Sequence, residues 1–99
     1  MKKAVRQLSD VDRVIHSPAR LVLVALLYTL QEADFVYLQR ESQLTRGNLS
    51  SHLMRLEEAG YVRIDKTFRG KVPMTVCSLT RSGRQAFETY RQTFKRALG

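Results

Sequence analysis

Acidic side chains are scarce in this sequence: nine Asp and Glu face seventeen Lys and Arg, leaving a formal net charge of +8. A surplus of that size concentrates polyanions near the surface and speeds their capture. Nucleic acid is therefore the leading partner class, with an anionic membrane surface second. Cysteine is nearly absent too. The single Cys77 excludes an intrachain disulfide and points to a reducing compartment. Histidine occurs only as His16 and His52, so no metal-ligand spacing arises. No Ser/His/Asp grouping, paired carboxylates or Gly-rich phosphate loop stands out, so neither catalysis nor a cofactor is expected. No apolar run approaches the ~20 residues of a membrane span. The start, Met1-Lys2-Lys3, lacks the apolar run and cleavage site of a secretory signal. The expected location is the cytoplasm, in association with the nucleoid if the polyanion is DNA.

What is present fits one domain over residues 1–99, with 43% hydrophobic and 26% charged residues. Val5, Leu8, Val11 and Ile15 recur at helical spacing and predict an amphipathic first helix from Ala4 to Ile15. Ser17 and Pro18 suit the cap and first position of a second helix, reaching about Leu30. Its segment from Leu21 to Tyr28 is apolar nearly all round, which predicts a central, buried helix. Gln31 to Asp34 reads as a polar connection, with Phe35 placed to pin a short strand. Asp34 is a cap for a third helix from Val36 to about Gln43, anchored by Leu38 and Leu44.

Thr45 caps a fourth helix from Arg46 to Ala59, whose Leu49, Leu53 and Leu56 share one face. Gly60 is its left-handed stop. The period then changes to alternation through Val62 and Ile64, a basic turn follows at Arg69-Gly70-Lys71, and Val72 to Leu79 returns as a second strand. Pro73 lacks an N–H donor and fits only an edge position. Thr80 caps a last helix with a seam of Ala86, Phe87, Tyr90, Phe94, Ala97 and Leu98. The expected fold is α+β and mostly α, with a two-stranded hairpin.

Residues 36–59 make a helix-turn-helix, whose second helix characteristically enters the DNA major groove. The face opposite its leucines carries Arg46, Gly47, Asn48, Ser50, Ser51 and Arg55, with Thr45 at its start. Arg can fork onto guanine, Asn can pair with adenine, and Ser can serve several bases. A solvated polar face is the plain alternative for any one of them. An acid-free helix start followed by a basic hairpin favours groove contact. That hairpin, residues 61–79, offers Arg63, Lys66, Arg69 and Lys71 against Asp65. Such cations reach phosphates or the minor groove, although charged edges also prevent strand pairing between molecules.

The segments 1–16 and 80–99 look surplus to a monomer. Leu8 and Val11 meeting Tyr90, Phe94, Ala97 and Leu98 across a two-fold axis would make a homodimer.

The run from Thr45 to Leu53, followed by Leu56-Glu57-Glu58-Ala59-Gly60-Tyr61-Val62, resembles the recognition-helix signature of winged-helix regulators. It is similar to MarR-like and ArsR-like proteins, above all to their small single-domain relatives. The likeness extends to Ser17-Pro18-Ala19-Arg20-Leu21 and to Leu79-Thr80-Arg81-Ser82-Gly83-Arg84. It implies a winged helix-turn-helix, two-fold dimers on pseudo-palindromic duplex DNA, a wing at Arg69-Gly70-Lys71, and dimerising terminal helices. Glu41-Ser42 stand where such proteins carry an apolar residue, and the metal-sensing cysteines of many ArsR-like proteins have no counterpart. A small-molecule effector is compatible with this class, but no residue indicates one. The rivals are a winged helix used for protein contact and an RNA-binding module. The first would show apolar or acidic residues on the groove-facing helix. The second would show aromatic stacking platforms.

Overall fold

The computed structural model describes residues 3–99; Met1 and Lys2, the first residues of the expected dimerisation segment 1–16, lie outside the described residues. The elements are helix α1 (Lys3–Arg6), a 3-10 turn (Gln7–Asp10), α2 (Pro18–Leu30), strand β1 (Glu32–Asp34), α3 (Phe35–Ser42), α4 (Arg46–Glu58), β2 (Val62–Arg69), β3 (Val72–Leu79) and α5 (Arg81–Leu98). The winged-helix expectation holds, and the fold is mostly helical with one small antiparallel sheet.

The first correction concerns the helix expected over residues 4–15. Only α1 and the 3-10 turn form, and the backbone becomes extended at Val11. Asp12 explains the break. Its Oδ1 accepts the amides of Val14 at 2.8 Å and Ile15 at 3.2 Å, a local turn that competes with helix propagation. Its other oxygen accepts the Tyr61 hydroxyl. Ile15, expected on the helix stripe, is instead folded into the core with no exposed surface.

Helix α2 starts as expected, with Pro18 at its first position. Ser17 holds extended backbone geometry there, but its hydroxyl makes no capping bond. Leu23, Val24 and Leu27 are fully buried, whereas Val22 and Leu30 are 43% and 42% exposed. This helix is therefore central along one face and open along the other, a correction to its apolar-all-round reading.

The second correction is the sheet. Residues 32–34 are a strand and not a polar connection, pairing Glu32 with Ser78, Ala33 with Cys77 and Asp34 with Val76. The sheet has three strands in the order β1-β3-β2, so the hairpin alone is not the whole of it. Phe35 is the first residue of α3, directly after β1, and is half-buried against the core. Pro73 nevertheless sits at an edge. β1 extends only as far as Val76, leaving that end of β3 paired on the β2 side alone.

The turn chemistry is as read. Asp34 accepts the Tyr37 amide, Thr45 that of Asn48 and Thr80 that of Gly83, at 2.8, 3.1 and 3.0 Å. Gly60 has φ +80, with its amide on the Glu57 carbonyl and the Tyr61 amide on that of Leu56. Those two bonds close the end of α4. Leu38, Leu49, Leu53 and Leu56 join the α2 leucines, Val62, Cys77, Phe87 and Tyr90 in one core. Leu44 packs at its margin, while Glu41 is exposed and Ser42 half-buried.

Candidate nucleic-acid interface

Burial of Leu49, Leu53 and Leu56 fixes the rotation of α4 and turns its other faces outward. Thr45, Arg46, Gly47, Asn48, Ser50, Ser51 and Arg55 are all exposed. They do not form one uniform surface. Arg46 and Ser50 lie on the flank toward the hairpin, where they line a cleft with Lys66, Arg69 and Thr75. Asn48 and Arg55 fall on the other flank, with Gly47 and Ser51 between. A Cβ built on Gly47 meets nothing within 4 Å, so the fold itself does not demand glycine there.

The hairpin cations also divide. Lys66, Arg69 and Lys71 are exposed and have no acidic partner within salt-bridge distance among the described residues. Arg63 instead holds Asp65, with Nε 3.0 Å from Oδ2. Residues two apart on a strand share a face, so this pairing was open to sequence reading. Its effect is to neutralise Arg63 toward the base of the hairpin and concentrate free charge at the tip. Gly70, at φ +62, makes the tight turn between Arg69 and Lys71.

Both histidines are engaged. His16 is exposed, yet its Nδ1 is 2.9 Å from the Tyr90 hydroxyl and its ring stacks on Phe94. His52 is half-buried, with Nδ1 3.2 Å from Nη1 of Arg20. The Arg20–His52 contact joins residues on α2 and α4 that nothing in the sequence brings together. Burial pushes the Cys77 thiol up to about 11, with Glu57, Asp34 and Asp65 adding to the shift. That thiol stays protonated and unreactive at neutral pH. Tyr61 is pushed up to about 12, first by its bond to Asp12, then by burial and by the Asp12 charge.

The residues expected at a dimer interface are placed unequally. Val11 and Phe94 pack against the chain's own core, and Tyr90 is part of it. Leu8 and Ala97 are half-buried, while Leu98 is 72% exposed.

A helix-turn-helix whose second helix presents polar and basic side chains beside a basic hairpin defines a class. The chain belongs to the winged helix DNA-binding domain family, which matches residues 19–98. An uncharacterized protein of Methanocaldococcus jannaschii is 40% identical to it over 79 residues, 79% of this chain and 85% of the other. A transcriptional regulator homologue from Pyrococcus horikoshii OT3 superposes with TM-score 0.88 at 26% identity, covering 98% of this chain and 95% of that one. An ArsR family transcriptional regulator shares the fold at TM-score 0.63 and 18% identity, over 97% and 94% of the two chains. The chain is thus a winged-helix DNA-binding protein, built like transcriptional regulators of known structure. No helix among the described residues is long and apolar enough to cross a membrane.

Proposed function

We propose that this regulator binds duplex DNA sequence-specifically as a homodimer of the MarR-like and ArsR-like kind. Each α4 enters a major groove, and the hairpin tip lies on the adjoining backbone or minor groove. The observation that carries this reading is the shared cleft: Arg46 and Ser50 of α4 face Lys66 and Arg69 of the wing. A phosphate strand passing there would meet cations on both sides, with the positive N-terminus of α4 at hand. Arg46, Lys66, Arg69 and Lys71 then serve the backbone. Asn48, Ser51 and Arg55 are left to read base edges, with Thr45 and Gly47 at the point of entry.

The single-domain reading of residues 1–99 makes segments 1–16 and 80–99 the dimerisation elements. The exposed Leu98 supports it, since an apolar side chain at the end of α5 gains from a second copy. The two recognition helices would then address half-sites ~34 Å apart. A protein so bound would be cytoplasmic and associated with the nucleoid.

Selection of bound fragments from random duplexes, followed by footprinting, tests both parts. The expected footprint shows two half-sites one helical turn apart. Asn48→Ala should cost about 1–3 kcal/mol on the selected site and relax specificity. Lys71→Ala should weaken all sequences alike and lower the salt slope by about 1. If neither Asn48→Ala nor Arg46→Ala altered binding, the recognition surface would lie elsewhere.

A further inference from the structure

The wing supplies cations on one flank of α4 only. A major groove about 12 Å wide has a phosphate strand on each side, so the second wall needs its own contact. On α4, His52 follows Asn48 by four residues and precedes Arg55 by three, which stacks the three on the flank away from Arg46 and Ser50. Arg20 of α2 reaches the same flank.

The chemistry of this pair is constrained. Arg20 Nε donates to the Val14 carbonyl at 2.6 Å, which anchors the guanidinium. Its Nη1 then lies 3.2 Å from His52 Nδ1. Arginine has five N–H donors and no acceptor, so Nδ1 must be the acceptor in this bond. The imidazole is therefore the neutral tautomer with its proton on Nε2. No protein acceptor takes that proton among the described residues, and no buried polar atom there lacks a partner. Nε2–H must consequently open to solvent.

We infer that His52 is a DNA contact, donating Nε2–H to a phosphate oxygen of the strand opposite the wing. Arg20 is its positioning residue. The arrangement resembles the orientation of an imidazole by a fixed partner on its other nitrogen, with a permanent cation in that place. Arg20 and Arg55 add positive charge to the same wall, and no acid among the described residues lies within salt-bridge distance of either. The inference rests on α4 occupying the major groove.

The test uses the full chain and a duplex selected by the wild-type protein. His52→Leu should lose about tenfold in affinity for selected and random duplexes alike. Its salt slope should not change, because a neutral donor displaces no counterion. His52→Gln, which keeps an N–H donor near the same place, should restore affinity to within about threefold. Duplexes with single phosphates replaced by neutral methylphosphonate should reveal one position per half-site that matters to wild type but not to His52→Leu. Merely structural damage would leave that phosphate sensitivity intact.

Should His52→Leu fail to fold, the wild-type imidazole carries the test. Its nitrogen resonances should report the Nε2–H tautomer, and Nε2 should shift with the native duplex but not with the methylphosphonate duplex. Arg20→Met should abolish the fixed tautomer. If Asn48→Ala weakens binding while His52→Leu has no effect, or keeps every phosphate sensitivity, the His52 contact is wrong. If wild type binds no duplex at all, the groove placement itself has failed.

Discussion

Two helices of this protein begin almost alike and end up doing different work. Helix α4 opens with Leu44-Thr45-Arg46-Gly47-Asn48, and α5 with Leu79-Thr80-Arg81-Ser82-Gly83. In both, a threonine hydroxyl accepts the amide three residues on, at 3.1 and 3.0 Å. Both carry a glycine in the first turn and have no acid there. Their surroundings separate them. A Cβ on Gly83 would stand 2.2 Å from the Tyr61 carbonyl oxygen, so the start of α5 is pressed against the chain's own backbone. A Cβ on Gly47, at the start of α4, would meet nothing within 4 Å. Matching local chemistry thus builds one helix start for the fold and leaves the other free for a partner.

The comparison is broken most forcefully at Gly83. Alanine is intrinsically the better helix former by about 1 kcal/mol. Even so, Gly83→Ala should destabilise by about 1–3 kcal/mol, because a backbone carbonyl cannot turn aside as a side chain can. Urea denaturation measures this, and an unchanged midpoint would mean that α5 and Tyr61 separate at no cost.

The same substitution at the other helix start should have the opposite sign. Gly47→Ala should stabilise the fold by roughly 0.5–1 kcal/mol. It should also weaken duplex binding, since the added methyl would stand where the DNA approaches. Stabilisation without loss of affinity would place the closest approach at another residue.

The smallest effect concerns what Tyr61 does besides meeting Gly83. Its pKa rises from the ordinary 10.0 to about 12 through the bond to Asp12. The folded state therefore holds the phenol proton more tightly than the unfolded chain does. The associated stability is complete below about pH 10 and is lost as pH rises through about 12. Tyr61→Phe should flatten that part of the alkaline decline. Cys77 titrates in both proteins, so the difference between their urea midpoints from pH 9 to 12 isolates Tyr61. Identical profiles would show that the Asp12 bond does not persist in solution.

Much of this was legible from residue order. The caps at Asp34, Thr45 and Thr80, the stop at Gly60 and the leucine face of α4 depend on chemistry within a few residues. The interactions that formed there are the ones the local sequence favours. β1 was hidden because three residues with one apolar side chain show no period, and only pairing with β3 makes them a strand. The terminal helix was misread for a different reason. Its apolar spacing is helical, but Asp12 hydrogen-bonds two amides and the Tyr61 hydroxyl, and Ile15 enters the core. The outward set on α4 was visible, but its division into a wing-facing flank and an Arg20-facing flank was not.

Sequence alone determined the winged-helix class, the polar face of α4 and the basic tip of the hairpin. Periodicity, capping and charge act over short separations and survive without knowledge of the fold. The tertiary structure decided which cations remain available. It set Arg46 across from Lys66 and Arg69 and brought Arg20 to His52 across 32 positions. Those outcomes depend on how helices and strands pack in space, and no local pattern of residues encodes that.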